Sequence, residues 1–319
     1  MDGLGTYVVR RLLFLPVVLL VVSFATFYVT RWGPGDPVSI YSGQFRDEDA
    51  FARVREQYGL DRPVHEQYAI WLKGIVTEGD FGPSFRYRDR EIPELLWPRI
   101  WVSIRVSLWA FLLTYLIGIP LGVYAATRQG RWSDPFTIGV LLFFTSIPVL
   151  VMTPLLVLVF AANLHWLPPG GFDGIFSKSV IIPTIALTLP ALAGIARLSR
   201  TTTLQALHED FVRTARAKGL DEGVILRRHV ARNSLVPVMT TVVGLSLVGL
   251  LEGAFFTETI LGIPGIGSFM FEAVGTQDYN VILTFVLLTT VAFILANLLV
   301  DIALVIIDPR IRAARAAER

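Results

Sequence analysis

The sequence predicts an all-α integral membrane protein with six transmembrane helices. Of its 319 residues 53% are hydrophobic and 17% are charged, with a mean hydropathy of +0.59. Soluble domains carry about 25% charged residues. The apolar residues are concentrated in six runs long enough to cross a bilayer as helices, which satisfy their own backbone groups in lipid. The six runs are Leu12–Thr30, Ser103–Ala126, Phe136–Ala162, Val180–Thr203, Leu235–Thr257 and Val281–Ile307.

The first run is interpreted as a retained anchor helix, residues 1–30, rather than a secretory signal. It follows Arg10-Arg11, but it is longer than a typical signal core and ends in Tyr28-Val-Thr-Arg-Trp32 without a small-residue cleavage site. Later runs contain prolines, which predict kinks that neighbouring helices stabilise. These prolines are Pro120, Pro148, Pro154, Pro183 and Pro190.

The arginines of the short loops predict the orientation, because basic loops stay in the cytoplasm. They precede run one, lie between runs two and three, follow run four, and follow run six. The loop between runs three and four carries only Lys178. Both termini, the loop 204–234 and the tail 308–319 are therefore expected inside. Residues 31–99 form an external insert, and residues 100–307 form the core membrane domain.

The external insert is predicted to contain two short amphipathic helices. Asp47–Tyr58 has an apolar face and ends at Gly59, while Asp61-Arg-Pro63 starts a second helix with an apolar stripe. Two interpretations are open: a docking platform at the mouth of a pathway, or a cap that seals the bundle. The docking candidates are Tyr58, Tyr68 and Trp71.

A polar stretch in the loop 204–234 combines small and basic residues. Small side chains allow another backbone to approach, and the positive charges keep the stretch out of lipid. It therefore suits the cleft of a soluble partner, although an ordinary basic loop would look similar. The candidate contact residues are Asp210, Arg213, Thr214, Ala215, Arg216, Ala217, Lys218, Gly219 and Leu220.

Composition also excludes several kinds of site. The chain has no cysteine, and its four histidines lie too far apart in sequence for a metal motif, so no metal site is predicted. None of the lysines, Lys73, Lys178 and Lys218, follows a glycine, which excludes a phosphate-binding Walker A loop. The basic residues are spread over several loops, so nucleic acid is not an expected partner.

Several short strings, in a fixed order over nearly the whole chain, resemble the permease subunits of peptide/nickel-type ABC importers. They include Gly33-Pro-Gly-Asp-Pro37, Gly79-Asp-Phe-Gly-Pro-Ser84, Arg213-Thr-Ala-Arg-Ala-Lys-Gly-Leu220, Pro264-Gly-Ile-Gly267 and Asp308-Pro-Arg310. The loop departs from the general permease motif, since Arg213 and Thr214 stand where that motif has Glu and Ala. This version of the loop resembles that of the peptide/nickel branch, whose cargoes also include nickel complexes, opines and some oligosaccharides.

The resemblance implies a type I importer permease fold and three kinds of partner besides membrane lipid. These are a second homologous permease, two cytoplasmic ATPases that carry ATP and Mg, and an external binding protein. No cofactor is expected on this chain, which is not expected to be an enzyme. It is expected in a prokaryotic inner membrane, where the stretch at 210–220 would couple it to an ATPase.

The translocation path and gate are expected around the fifth run and the turn that follows it. Glu252 and Asp301 are carboxylates in predicted spans, where charge is costly and faces a cavity or a partner; a structural hydrogen bond is the alternative for Glu252. Glu258 is expected to reach the outer interface, and Arg200 to extend to the cytoplasmic surface. The gate candidates are Phe255, Phe256, Pro264, Gly265 and Gly267.

The sequence leaves two other function classes as alternatives. An ATP-independent secondary transporter or channel would use the intramembrane carboxylates as a proton path, but no inverted repeat is visible. An intramembrane serine protease would need a base near Gly267-Ser268, and no histidine lies in any predicted span.

Overall fold

The computed structural model describes residues 2–32, 61–87, 90–239 and 255–307, and within them it omits the side chains of 2–12, 32, 300, 301 and 303–307. In these ranges the chain is helical apart from its loops and an antiparallel bridge between Pro83 and Glu91. The helices are α1 (Asp2–Trp32), α2 (Val64–Glu78), α3 (Ile92–Thr127), α4 (Ser133–Thr145), α5 (Val149–Leu156), α6 (Ile181–Leu207), α7 (Asp210–Ala217), α8 (Glu222–Val224), α9 (Phe255–Leu261), α10 (Ile266–Gly275) and α11 (Tyr279–Ile307).

The predicted all-α membrane class is confirmed. Four described helical segments are long and apolar enough to span a membrane: Leu13–Arg31, Ile92–Thr127, Lys178–Leu207 and Tyr279–Leu299. The bent pair Ser133–Thr145 and Val149–Asn163 is long and apolar enough to make a fifth when it is counted as one span. Most of the predicted run Leu235–Thr257 lies outside the described residues, as do the helix predicted at Asp47–Tyr58 and the tail 308–319.

The third predicted run is a broken span rather than one straight helix. α4 and the helix that follows it meet at 91° across Ser146-Ile-Pro148. Pro148 has no N–H to continue the ladder, and it disfavours helical geometry in the residue before it. It serves as the N-cap of α5, and its carbonyl accepts from the N–H groups of Val151 and Met152. Beyond Pro154 the backbone continues as a π-helix, Val157–Asn163.

The centre of the bundle is the parallel pair α3 and α6. A Cβ on Gly122 would collide with the Ala196 carbonyl oxygen, and one on Gly118 would lie 3.1 Å from Ile195. Small residues at these positions let the two backbones approach closely, as is common between membrane helices. The Thr188 hydroxyl donates to the Ala110 carbonyl at 3.4 Å, which fixes the same register.

The parallel packing gives the bundle two ends with different structures. At the start of α3 and α6, α9 and α10 form a helical hairpin, which we call the outer hairpin (Phe255–Gly275). Helix α3 has 36 residues and is about 54 Å long at 1.5 Å per residue, against a hydrocarbon core of about 30 Å. Its first turns pack on α10 in a cluster with Ile266 and Phe269. At the far end, α6 leads into α7.

Candidate functional sites at the two ends of the bundle

Helix α7 is a short amphipathic helix whose inner face is held by the chain itself. Val212 and Ala215 are buried in a cluster with Ala206, Ile225 and Val230. Asp210 stands in the first turn, where a carboxylate favours the partial positive charge of the helix N-terminus. Ala215 was expected on the contact surface; it packs inward instead, because it shares the buried face with Val212.

The end of α7 is fixed by Gly219. Gly219 has a φ of +74°, in the left-handed region that glycine adopts without strain. Its N–H donates to the Arg216 carbonyl at 2.9 Å, and the Leu220 N–H donates to the Ala215 carbonyl at 3.3 Å. This pair of bonds is a Schellman motif, which stops the helix and turns the chain sharply.

The arginines of α7 pair with carboxylates of the same segment. Arg216 donates from Nε to Glu222 Oε1 at 2.6 Å and from Nη2 to Oε2 at 3.2 Å, and Arg213 lies 3.1 Å from Asp210. The hydrogen bond from Arg216 lowers the pKa of Glu222 and raises that of the guanidinium. The outward surface therefore presents neutralised charges together with four other exposed residues, Thr214, Ala217, Lys218 and Leu220.

At the opposite end, the turn of the outer hairpin is crowded at its glycines. A Cβ on Gly265 would collide with the Glu258 carboxylate, and one on Gly267 would lie 2.6 Å from the Phe255 Cα. Gly170 is similarly tight against Leu261, and the Gly171 N–H donates to the Leu261 carbonyl at 2.7 Å. The turn is thus held by close backbone packing.

An aromatic cluster lies on the exposed side of the hairpin. Phe255 contacts Phe256 and Phe271, with ring centroids 5.2 and 5.6 Å apart. Phe256 and Phe271 remain about half exposed in this chain. Of the other path candidates, Glu252 lies outside the described residues, and Asp301 is described only as a backbone position within α11.

Glu258 organises the hairpin, and the expectation that it reaches the outer interface is wrong. Its side chain is fully buried, and its carboxylate faces the N-terminus of α10. Oε2 accepts from the N–H groups of Gly267 at 2.8 Å and Ser268 at 3.2 Å. Oε1 accepts from the Ser103 hydroxyl at 2.6 Å. The partial positive charge of the helix N-terminus compensates the buried carboxylate.

Ser103 completes this arrangement from α3. Its oxygen accepts the Ile266 N–H at 2.8 Å while its hydroxyl donates to Glu258. The first three N–H groups of α10, from Ile266, Gly267 and Ser268, therefore all have side-chain acceptors. Such groups lack partners within the helix, and leaving one buried and unpaired costs about 1–3 kcal/mol. Nothing in the sequence pattern relates Ser103 to Glu258, which lie 155 residues apart.

Two of the docking candidates in the external insert face the bundle. Trp71 is buried against Phe27 and Leu283, and its Nε1 donates to the Phe81 carbonyl at 3.2 Å. The Tyr68 hydroxyl lies 2.8 Å from Ser23 Oγ of α1. The described part of the insert therefore seals the bundle through these two side chains, which do not form an outward platform. Tyr58 lies outside the described residues.

A second polar cluster ties the string Gly79–Ser84 to the start of α11. The Ser84 hydroxyl donates to Asp278 Oδ2 at 2.6 Å, and Asn280 donates to the Pro83 carbonyl at 2.9 Å. Close by, Arg86 and the Tyr87 hydroxyl both contact Glu272 of α10. The segment from Gly79 to Tyr87 is thus fixed both to the start of α11 and to the hairpin that Glu258 organises.

Arg200 does not extend to the surface as expected. Its Nε and Nη2 donate to the two oxygens of Asp134 at 2.7 and 2.6 Å. Asp134 is buried in the first turn of α4, so this bidentate pair joins the broken span to α6. The end of α6 that carries α7 is therefore clamped to its neighbour.

The chain matches two family descriptions over most of its length. Residues 118–313 match the binding-protein-dependent transport system inner membrane component, and residues 4–87 match the N-terminal part of such components. The chain belongs to this family. It is a membrane component of a binding-protein-dependent ABC importer and not a catalytic enzyme, and importers of this kind work with ATPase and binding-protein partners.

Individual relatives agree over nearly the full chain. The oligopeptide transport system permease OppB of Haemophilus influenzae is 35% identical over 96% of this chain and 99% of its own length. The dipeptide transport system permease DppB of Alkalihalophilus pseudofirmus is 36% identical over the same shares. The fold is similar to that of an inward-facing MetNI methionine ABC transporter, with a TM-score of 0.52 and 18% identity over 66% of this chain and 97% of the other.

Proposed function

We propose that this chain is a permease subunit that moves peptides from an external binding protein into the cytoplasm by alternating access. The observation that carries the cargo assignment is the full-length similarity to relatives named as oligopeptide and dipeptide permeases. The chain pairs with a second, homologous permease around the path. Both termini and α7 lie on the cytoplasmic side of a prokaryotic inner membrane, because the short basic loops fall there.

Helix α7 is the ATPase-coupling element in this proposal. Its inner face is buried against the helical segment after Asp221, so a displacement of α7 is transmitted to the bundle as a rigid movement. The end of α7 is fixed by Gly219, and Ala217 and Gly219 leave room for a close approach. Arg213 and Arg216 are already paired, so we assign recognition to shape and to the positive charge of Lys218 more than to new arginine bridges.

Phe255 and Phe256 form the gate side of the outer hairpin. The Phe256 ring is exposed in this chain and the Phe255 ring is half-buried beside it. An exposed apolar surface in a permease faces lipid, the second permease or the path. Pro264, Gly265 and Gly267 shape the turn that holds these rings in position. Glu252 and Asp301 are assigned to the path or to the permease interface, since charged groups in spans face cavities or partners.

The test is purification from native membranes in mild detergent, followed by reconstitution and uptake of a pool of short labelled peptides. Co-purification of ATPases and a second permease, with ATP-dependent peptide uptake, is the expected result. Gly219→Pro should abolish uptake, because proline can neither adopt a positive φ nor donate to Arg216. Gly130→Pro, at another positive-φ glycine between α3 and α4, is the matched control and should retain uptake. A chain that purifies without ATPases would overturn the proposal.

A further inference from the structure

We propose that Glu258 and Ser103 form a latch that joins the outer hairpin to α3, so that the two move as one body during transport. Glu258 and Ser103 are positioning residues in this scheme: neither needs to touch the cargo. The inference rests on the proposed transport function in one respect only. During transport the cluster of Phe255, Phe256 and Phe271 on the hairpin, which we call the aromatic gate, would move together with α3 instead of moving locally.

The latch is argued from its connectivity. Glu258 lies in α9, and its carboxylate accepts hydrogen bonds from Gly267 and Ser268 in α10 and from Ser103 in α3. One carboxylate therefore links three helices. Ser103 in turn accepts the Ile266 N–H, which closes a ring of hydrogen bonds across the same helices. All of the participating side chains are fully buried. A buried network of this kind specifies one geometry, since partial loss leaves unpaired groups.

Glycine packing makes the latch rigid. Gly265 and Gly267 leave room for the carboxylate where any side chain would collide with it or with Phe255. The hairpin therefore has no free space around Glu258 in which it could bend locally. The apolar cluster of Ile92, Leu95 and Phe269 continues the same contact along the first turns of α3.

The aromatic gate lies directly on this rigid unit. Phe255 precedes Glu258 by one helical turn, and its backbone is the surface against which Gly267 packs. Phe271 is on α10 and contacts Phe255. A movement of α3 is therefore passed to both rings through the latch, whereas a broken latch would let the hairpin shift alone.

The experiment measures distance between spin labels on the hairpin and on α3 in the assembled complex. The chain has no cysteine, so labels at Val274→Cys and Leu116→Cys, both exposed positions, are specific once partner cysteines are replaced. One narrow distance peak, unchanged between the nucleotide-free and vanadate-trapped complexes, is expected. A peak that moves between these states would overturn the proposal.

Two variants cut the latch, and one matched variant leaves it intact. Ser103→Ala removes the bond to α3, and Glu258→Asp is one methylene too short to reach Ser103 and Gly267 together. Ser268→Ala removes only hydroxyl bonds to the Ile263 and Gly265 carbonyls within the same turn. The cut variants should broaden the peak and lower peptide uptake per ATP about tenfold, the shift expected from losing a hydrogen bond to a charged group. Ser268→Ala should behave as the unmodified chain.

Other outcomes count against the latch. An unchanged peak in both cut variants, or equal broadening in Ser268→Ala, would overturn it. If both cut variants fail to assemble, the two residues serve folding alone and the proposal is also overturned. The distance measurement needs no peptide, so it stands even if the cargo proves to be another solute.

Discussion

Helix α7 and the outer hairpin both combine glycines with a hydrogen-bonded carboxylate, but the glycines have different roles and the carboxylates differ in burial. In α7, Gly219 supplies a left-handed φ with open space around it, and the arginine–carboxylate pairs are exposed. In the hairpin, Gly265 and Gly267 supply space, and the carboxylate is buried. The glycine of α7 is therefore needed for its backbone conformation, whereas the glycines of the hairpin are needed for the space that they leave.

The largest effect should come from filling the space at the hairpin turn. Gly267→Ala would place a Cβ 2.6 Å from the Phe255 Cα and 2.9 Å from its nitrogen. Overpacking against backbone cannot be relieved by a rotamer change, so we expect a loss of about 3 kcal/mol in the free energy of unfolding.

Gly275→Ala is the matched control, because a Cβ there meets nothing within 4 Å at the end of the same helix. Thermal unfolding of the purified complex measures both variants. Equal melting temperatures for Gly267→Ala and Gly275→Ala would show that the turn is not packed as described.

A second test compares two bidentate arginine–carboxylate pairs that differ in burial. The side chains of Asp134 and Arg200 are 7% and 28% exposed, whereas those of Glu222 and Arg216 are 65% and 47% exposed. Asp134→Ala leaves a mostly buried guanidinium without its partner and should cost about 3 kcal/mol. Glu222→Ala should cost under about 1 kcal/mol, because water screens the exposed pair. Similar losses in denaturant unfolding of the two variants would contradict the comparison.

A smaller effect is expected where the external insert is fixed to α1. Tyr68→Phe removes the hydroxyl that lies 2.8 Å from Ser23 Oγ and should cost about 1 kcal/mol. Ser23→Ala removes the other side of the same contact, so the two changes should be non-additive when combined. Additive losses in thermal unfolding would mean that the two side chains do not interact.

The smallest effect is a pH dependence at the end of α7. The pKa of Glu222 is lowered below its ordinary 4.5 by the hydrogen bond from Arg216. The carboxylate therefore adds stability above pH 4.5, and that contribution is lost as the pH falls through the lower, folded-state pKa. Because both groups are exposed, the change should be a few tenths of a kcal/mol. Unfolding followed from pH 6 to pH 3 in the unmodified chain and in Glu222→Gln measures it, and identical profiles would contradict the assignment.

The sequence predicts those parts of the molecule that depend on local pattern. Apolar runs located the described spans. Pro148 predicted a kink, although not one of 91°. The amphipathic stripe of Tyr68 and Trp71 identified an apolar face but did not say that α1 and α11 cover it.

What the sequence could not provide is the pairing between distant helices. Two such pairs form only because α3, α4, α6 and the hairpin pack in one register. They are Ser103 with Glu258 and Asp134 with Arg200. No local rule relates residues so far apart, and a buried carboxylate looks in sequence like any other acidic residue near a span end. The expectations for Glu258 and Arg200 were wrong for this reason.

In our proposal α7 presents its outer face to an ATPase while its inner face packs against the bundle. The substitution Ala217→Trp separates the two faces, because Ala217 is exposed and a bulky ring there would block a closely fitted partner without disturbing the buried Val212 and Ala215. Ala69→Trp, at an exposed position of α2, is the matched control. We expect Ala217→Trp to leave thermal unfolding unchanged and to abolish ATP-dependent peptide uptake in reconstituted vesicles, while Ala69→Trp retains uptake. Full uptake by Ala217→Trp would show that the outer face of α7 does not contact an ATPase.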